Sequence, residues 1–179
     1  MTKMKITKGR EEDWPALKAI DASSLTDYSY KMEINRGSGI YGFTLTRFRL
    51  PRSLPLIYPK NGEELARSFT ECAAVLVGNI QNEPIAYACL EEGLYPDTAQ
   101  VTDLVVMNGA RQNGIGTILL VAAEKWAAQR KRNRLFMAIP LRNDPMISLA
   151  KKLGYSFCGF MSTCFKTGED AIFYEKRLG

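Results

Sequence analysis

Histidine is absent from the 179 residues of this chain. That removes Ser-His-Asp and Cys-His catalysis, His-ligated metals, and the side chain most often used as a general base near neutral pH. Acid–base chemistry must therefore run through carboxylates, tyrosines, backbone groups or water. The four cysteines, Cys72, Cys89, Cys158 and Cys164, form no C-x-x-C pair, so neither a zinc knuckle nor a redox motif is present. Their apolar and aromatic neighbours predict buried, reduced thiols. No stretch approaches the roughly 18 apolar residues of a membrane span, and the N-terminus lacks the apolar run of a secretory signal. These absences predict a cytoplasmic protein with no membrane partner. Internal repeats, low-complexity tracts and linker-like charge blocks are also missing, and the length suits one domain over residues 1–179.

Charge of one sign is in modest excess: 24 Lys and Arg against 19 Asp and Glu, a formal +5. An anionic partner is favoured, but no basic arm points to nucleic acid, and a small polyanion suffices. The densest cluster, Arg130-Lys131-Arg132 with Arg134, falls at a predicted helix C-terminus, where the dipole favours cations without any ligand.

Patterning predicts alternating strands and helices. Residues near 3–8 read as a strand, and Glu11-Glu12-Asp13-Trp14-Pro15 opens a helix carrying Leu17, Ala19 and Ile20. Residues 23–41 are rich in Gly and Tyr, without a clear period. Phe43 to Leu50 reads as a strand ended by Pro51, and residues 51–62, with three prolines, as loop. A hairpin is predicted from Ala73 to Glu92 across Gly78–Glu83, then a strand from Ala99 to Met107. Leu135–Ile139 is a further strand. Asp144 is the expected N-cap of a helix that presents Met146, Leu149, Ala150 and Leu153 on one face. Strands near 155–165 and 171–177 close the chain as a hairpin across 166–169.

Between the Ala99–Met107 strand and the next helical pattern lies Asn108-Gly109-Ala110-Arg111-Gln112-Asn113-Gly114-Ile115-Gly116-Thr117. A strand that ends in a glycine turn and enters a helix aims several unpaired N–H groups and the positive dipole end at one point, which binds anions without a metal. Gly114 and Gly116 leave the approach open and can adopt positive φ. Gly109 to Gly114 has Walker A spacing, but Ile115 stands where that loop needs Lys. The dinucleotide fingerprint needs a third glycine, and Leu119 is there.

Leu104-Val105-Val106, four further residues, then Arg111-Gln112-Asn113-Gly114-Ile115-Gly116 resembles the signature of the GNAT superfamily of acetyltransferases. Asn143, followed by Lys152-Leu153-Gly154-Tyr155, is similar to that family's next helix. The resemblance implies a mixed, mostly antiparallel sheet of about seven strands with helices on both faces. It also implies acetyl-CoA as co-substrate with no metal, and a small-molecule primary amine as acceptor. Leu104, Val105 and Val106 would hold the pantetheine arm; Arg111, Gln112, Asn113, Gly114, Ile115, Gly116 and Thr117 would cradle the pyrophosphate; Asn143 would touch the cofactor arm. The C-terminal segment from Cys158 and the Phe43-Thr44-Leu45 strand look like the streptothricin acetyltransferases, which implies an antibiotic amine. A silent acyl-CoA binder, or an enzyme acting on a protein or aminoacyl-tRNA amine, stays open, as does a homodimer.

Attack on a thioester needs a neutral amine, and an alkylamine of pKa near 10.4 is only about one part in 2,500 neutral at pH 7, a deficit of about 4.6 kcal/mol. Asp103, on the cofactor strand, and Glu91 or Glu92, at the end of the preceding one, are the candidate proton acceptors. Alternation predicts Asp103 on the same face as Val101 and Val105. For Asp103 a structural hydrogen-bonding role is equally open. The family's usual Tyr four residues before the helix-ending Gly is replaced by Ala150, which leaves Tyr174 as a possible proton donor.

Overall fold

The computed structural model describes residues 4–58, 60, 62–93 and 95–179. Among them β1 (Lys5–Lys8), β4 (Ala74–Ile80), β5 (Glu83–Glu92), β6 (Thr98–Val106), β7 (Arg134–Pro140), β8 (Ser156–Met161) and β9 (Ala171–Arg177) form one sheet in the order β1-β4-β5-β6-β7-β9-β8. A separate two-stranded ribbon pairs β2 (Ser24–Gly37) with β3 (Ile40–Leu56). The helices are α1 (Trp14–Lys18), α2 (Gly62–Glu71), α3 (Ile115–Gln129) and α4 (Asp144–Lys152). This is the mixed, mostly antiparallel architecture that the sequence implies; β6–β7 is the one parallel pair among the described strands.

The β4–β5 hairpin follows from its turn. Gln81 and Asn82 both take positive φ, 52° and 66°, so a two-residue loop matches the strand twist. Along β5 the side chains then alternate between two cores. Ala86, Ala88 and Leu90 pack with α3 residues Leu119, Leu120 and Ala123, while Tyr87 and Cys89 join Leu17 of α1 and Leu65 and Phe69 of α2. Helices therefore cover both faces, α3 and α4 on one, α1 and α2 on the other.

Several expectations are corrected. The first helix is a 3-10 turn, Glu11–Asp13, followed by the short α1, so Ala19 and Ile20 lie beyond it. Residues 23–41 hold the whole of the long strand β2 and the turn into β3, and β3 runs through Pro51 and Pro55 to Leu56 instead of stopping at Pro51. A two-stranded ribbon leaves each strand an unpaired edge, and between Thr26↔Leu54 and Tyr28↔Arg49 the ladder is interrupted, so Pro51 costs no bond there. Residues 63–71, to which the sequence pattern gave no element, are helical, with Leu65 and Phe69 four residues apart on the buried face. The terminal strands are joined by the longer segment 162–170, and β9 sits between β7 and β8. All four cysteines are free, but Cys89 alone is buried; Cys158 is exposed where β8, an edge strand, shifts register.

The ribbon lies across α4. The Arg47 guanidinium bonds both carboxylate oxygens of Asp144, at 2.7 and 3.0 Å, and stacks on the Tyr28 ring. The Tyr30 amide donates to the Leu141 carbonyl at 3.1 Å, and the Phe43 ring sits 5.1 Å from that of Phe157. Asp144 is free for Arg47 because it is not the N-cap. Asn143 caps α4 instead, its Oδ1 accepting from the Met146 amide at 3.2 Å. On α4 it is Ile147 and Ala150 that are fully buried, while Met146, Leu149 and Leu153 are partly covered.

Phe69 ties the second core together, its ring 5.1 Å from both Trp14 and Tyr87. Phe69→Ala should lower stability by about 3–5 kcal/mol and the thermal midpoint by roughly 6–20 °C, measured calorimetrically. An unchanged midpoint would show that α1 and α2 do not depend on this cluster.

Candidate active site

The β6–β7 ladder holds for three pairs, Thr98↔Arg134, Ala99↔Leu135 and Gln100↔Phe136, and then stops, although both strands continue. Beyond it β6 carries a bulge: Cys89 faces Asp103 and Leu90 faces Val101, so Thr102 has no partner on β5. One extra residue bends a strand and shifts its alternation. Val101 therefore packs in the α3-side core with Leu104 and Val106, while Asp103 and Val105 turn to the α1–α2 side. The expected sharing of a face by Asp103 and Val101 is thus corrected; simple alternation cannot foresee a bulge. Between the splayed strands opens a cavity of about 730 Å³ that runs from the Arg111–Thr117 loop to the ribbon's ends.

One end of the cavity is built for an anion. Gly114, at φ +76°, is the N-cap of α3 and supplies no side-chain cap, and the first turn holds no acid. The amides of Ile115, Gly116 and Thr117 thus have neither an intrahelical acceptor nor a side-chain substitute. Gly116 is helical, contrary to the expectation of positive φ. Its missing Cβ serves close approach instead, since one built there would stand 3.0 Å from Leu149 Cδ2. Non-glycine Gln112 takes the second positive φ of the loop, 63°. Asn113 braces the turn by donating to the Ala110 and Arg111 carbonyls, at 3.3 and 3.1 Å.

Arg111 faces inward. Its guanidinium donates to the carbonyls of Val106 at 3.0 Å, Ser23 at 2.6 Å and Ala22 at 2.8 Å, fixing the end of β6 to the start of the ribbon. Its partly buried charge stays near the anion end, but its donors are engaged, and so is the Val106 carbonyl. Lys152 lines the same cavity, as does Arg142, which bonds Glu169 at 2.8 Å. Asn143 lines it too, with Oδ1 committed to the α4 cap and its amide nitrogen left over. Leu104 and Val105 also line it, from the stretch of β6 that pairs with β5 but no longer with β7.

The proposed proton-handling residues are not brought together. Asp103 lines the cavity, with its side chain 2% exposed and both oxygens engaged. Oδ1 accepts from the Tyr58 hydroxyl, and Oδ2 from Lys60 Nζ at 2.5 Å and Thr102 Oγ1 at 3.2 Å. Of the two roles left open for it, this geometry supports the hydrogen-bonding one. Glu91 and Glu92 lie opposite Gln100 and Ala99, at the joined end of β6 and β7, and Glu92 pairs with Arg132 at 2.6 Å. Tyr174 is buried beside Phe157, outside the cavity lining, with burial raising its phenol above the ordinary value. Ala150 is fully buried, and Met146 and Leu149 present apolar groups to the cavity from the same helix.

Tyr58 and Lys60 had no sequence signal. They stand in a proline-interrupted stretch without period, and only the fold carries them to Asp103. Three members of the basic cluster have partners within the chain: Arg130 lies 4.3 Å over the Trp126 ring, Arg132 holds Glu92, and Arg134 reaches Glu175. No group of three or more metal-ligating side chains and no helix long and apolar enough to cross a membrane occurs among the described residues.

Residues 45–155 match the model of the acetyltransferase (GNAT) family. The chain is 22% identical over 173 residues to the streptothricin acetyltransferase of Streptomyces lavendulae, covering 92% of this chain and 89% of that one. Its fold superposes on a crystal structure of nourseothricin acetyltransferase with a TM-score of 0.82 at 19% identity, covering 98% of this chain and 99% of the other. A Bacillus anthracis structure carrying the streptothricin acetyltransferase name, in complex with acetyl coenzyme A, gives 0.77 at 18% identity over 99% of both chains.

The uncapped turn makes one substitution decisive. Gly114→Val puts a β-branched residue at positive φ and re-aims the first amides of α3. Loss of one hydrogen bond to a charged oxygen should weaken acetyl-CoA binding about ten- to a hundredfold. Calorimetric titration in EDTA measures it; wild-type affinity in a folded variant would place the anion site elsewhere.

Proposed function

The chain belongs to the acetyltransferase (GNAT) family, and from that premise we propose that it transfers the acetyl group of acetyl-CoA to a primary amine of a small molecule. The observation that carries this reading is the adjoining of an uncapped helix N-terminus to a strand edge freed by the loss of the β6–β7 ladder. An anion seats at the first, an extended arm adds to the second as an extra strand would, and both belong to one cavity. Acetyl-CoA has those two parts in that order. The fit is local as well: the Gly116 backbone comes close beneath Leu149 because no Cβ intervenes. Bound there, acetyl-CoA supplies the activated acyl carbon: the amine nitrogen bonds to it, the C–S bond breaks, and one N–H proton passes to the departing sulfur.

The residues of this chain have a limited part in that chemistry. They position the two partners and exclude water, and none of the carboxylates lining the cavity is free to take a proton. Asp103 has three donors and Glu169 has Arg142. Deprotonation of the amine is then left to water, and the sulfur leaves without a phenol beside it, consistent with Ala150. The streptothricin class is the first acceptor to try, because two similar proteins carry that name and another is named for nourseothricin. With both cavity carboxylates already paired to cations, the site suits one amine of such a molecule rather than a polycation as a whole.

Thiol release from acetyl-CoA, followed with streptothricin, L-lysine, spermidine and tyramine, tests the reading; no release with any of them would sink it. With the best of these amines, kcat/KM should rise about tenfold per pH unit and level off near the amine's own pKa, without an alkaline fall. Tyr174→Phe should leave that profile unchanged. A bell-shaped profile whose alkaline limb vanishes in Tyr174→Phe would assign the proton donor to Tyr174 instead.

A further inference from the structure

The cavity's two ends differ in chemistry. The α3 end offers amides and cations; the other is rimmed by Leu25 and Ile57, both strongly exposed, with Tyr58 behind them. A phosphate-bearing ligand that occupies the first end leaves the second to the amine.

At that second end a chain of hydrogen bonds has a fixed direction. Lys60 Nζ is a donor only; it bonds Ser68 Oγ at 2.8 Å and Asp103 Oδ2 at 2.5 Å. Thr102 Oγ1 also meets Oδ2. The Asp103 carboxylate accepts from every neighbour, so the Tyr58 hydroxyl has to give it its single proton. With its proton given to Asp103, the phenolic oxygen has two lone pairs, one facing the Tyr87 hydroxyl and the other left for a donor in the cavity. Burial first, and the Asp103 charge next, raise the Tyr58 phenol far above its ordinary range, so it remains a phenol at any working pH.

We propose that Tyr58 binds the acceptor: its oxygen, made acceptor-only by Asp103, receives one N–H of the incoming primary amine, and Asp103 is a positioning residue acting through it. Held by an N–H, the nitrogen keeps its own lone pair free for the acyl carbon. The arrangement also explains why a buried carboxylate with no free oxygen stands in the cavity wall. Its charge sets the polarity of Tyr58 and takes no part in proton transfer. The inference rests on the transferase reading and specifies the acceptor subsite of that cavity.

The test uses the full chain and the panel amine with the fastest thiol release. Tyr58→Phe keeps the ring and removes the oxygen. The KM for the amine should rise about tenfold or more, while kcat and the KM for acetyl-CoA change by less than about threefold. The amine's Kd for the CoA-loaded protein, read by calorimetry, should rise in parallel. Ser68→Ala cuts the tie of the same segment to α2, through Lys60, without touching Asp103 or the phenol, and should move the amine KM by less than about threefold. An equal rise in Ser68→Ala would show that anchoring of the segment is what matters and would overturn the proposal, as would an unchanged amine KM in Tyr58→Phe. If Tyr58→Phe does not fold, the wild-type protein decides: the trimethylammonium analogue of the same amine has no N–H and should bind at least about tenfold more weakly than the amine. Equal or tighter binding would assign recognition to the ring face and refute the role of the oxygen. Failure of the parent reading looks different, because wild-type protein would then release no thiol at all.

Discussion

Everything at the cavity follows from two parallel strands that pair for three residues and then part. Had the β6–β7 ladder continued, the backbone of residues 101–106 would be satisfied by its neighbour and the sheet would be closed. The bulge at Thr102 is the local cause on the β6 side, because an unpaired residue bends the strand and resets its alternation. The same irregularity does two things at once. It leaves a strand edge bare toward α3, and it turns Asp103 toward α2, where Tyr58 and Lys60 meet it. A sheet without that extra residue would have neither the opening nor the buried carboxylate in its wall.

Electrostatics divide the labour along the cavity. Cations and amides gather at the α3 end, and each lining carboxylate is matched to a cation, so the field favours an anion at one end and stays close to neutral at the other. With histidine absent, the usual way of moving a proton at neutral pH is closed. The site instead arranges donors and acceptors of fixed polarity, which orient a nucleophile without titrating.

The parts of the molecule with short-range signals were legible in the sequence. Gln81-Asn82 sits between two apolar runs and makes the expected hairpin, and the strand–glycine–helix order around Gly114 is found where the loop spacing puts it. The family resemblance rests on that strand and loop, with Asn143 and residues 152–155. Illegible parts depend on distant contacts. Pro51 reads as a strand end unless the interrupted ladder opposite it is known. Asp144 reads as a cap unless Arg47, nearly a hundred residues earlier, is seen to claim it. Tyr58 carries no period or motif, and its place beside Asp103 is a product of topology. Glu92 was a reasonable candidate by strand alone, yet the joined end of β6 and β7 holds it apart, against Arg132.

The ribbon has a mechanical meaning. Its middle is pinned to the first turn of α4 by Arg47 and Asp144, and the chain leaving β3 carries Tyr58 to the cavity. The acceptor wall therefore hangs from a two-stranded element outside the main sheet, attached through a few part-buried bonds, the Tyr30 side chain in the α3-side core and the contacts of Phe43 with Phe157 and Phe160. Elements with sparse buried contacts open locally before a core does. On warming, such a molecule loses its grip on the acceptor while the cofactor loop, seated on the sheet and α3, is still in place. Inactivation and unfolding become two separate events.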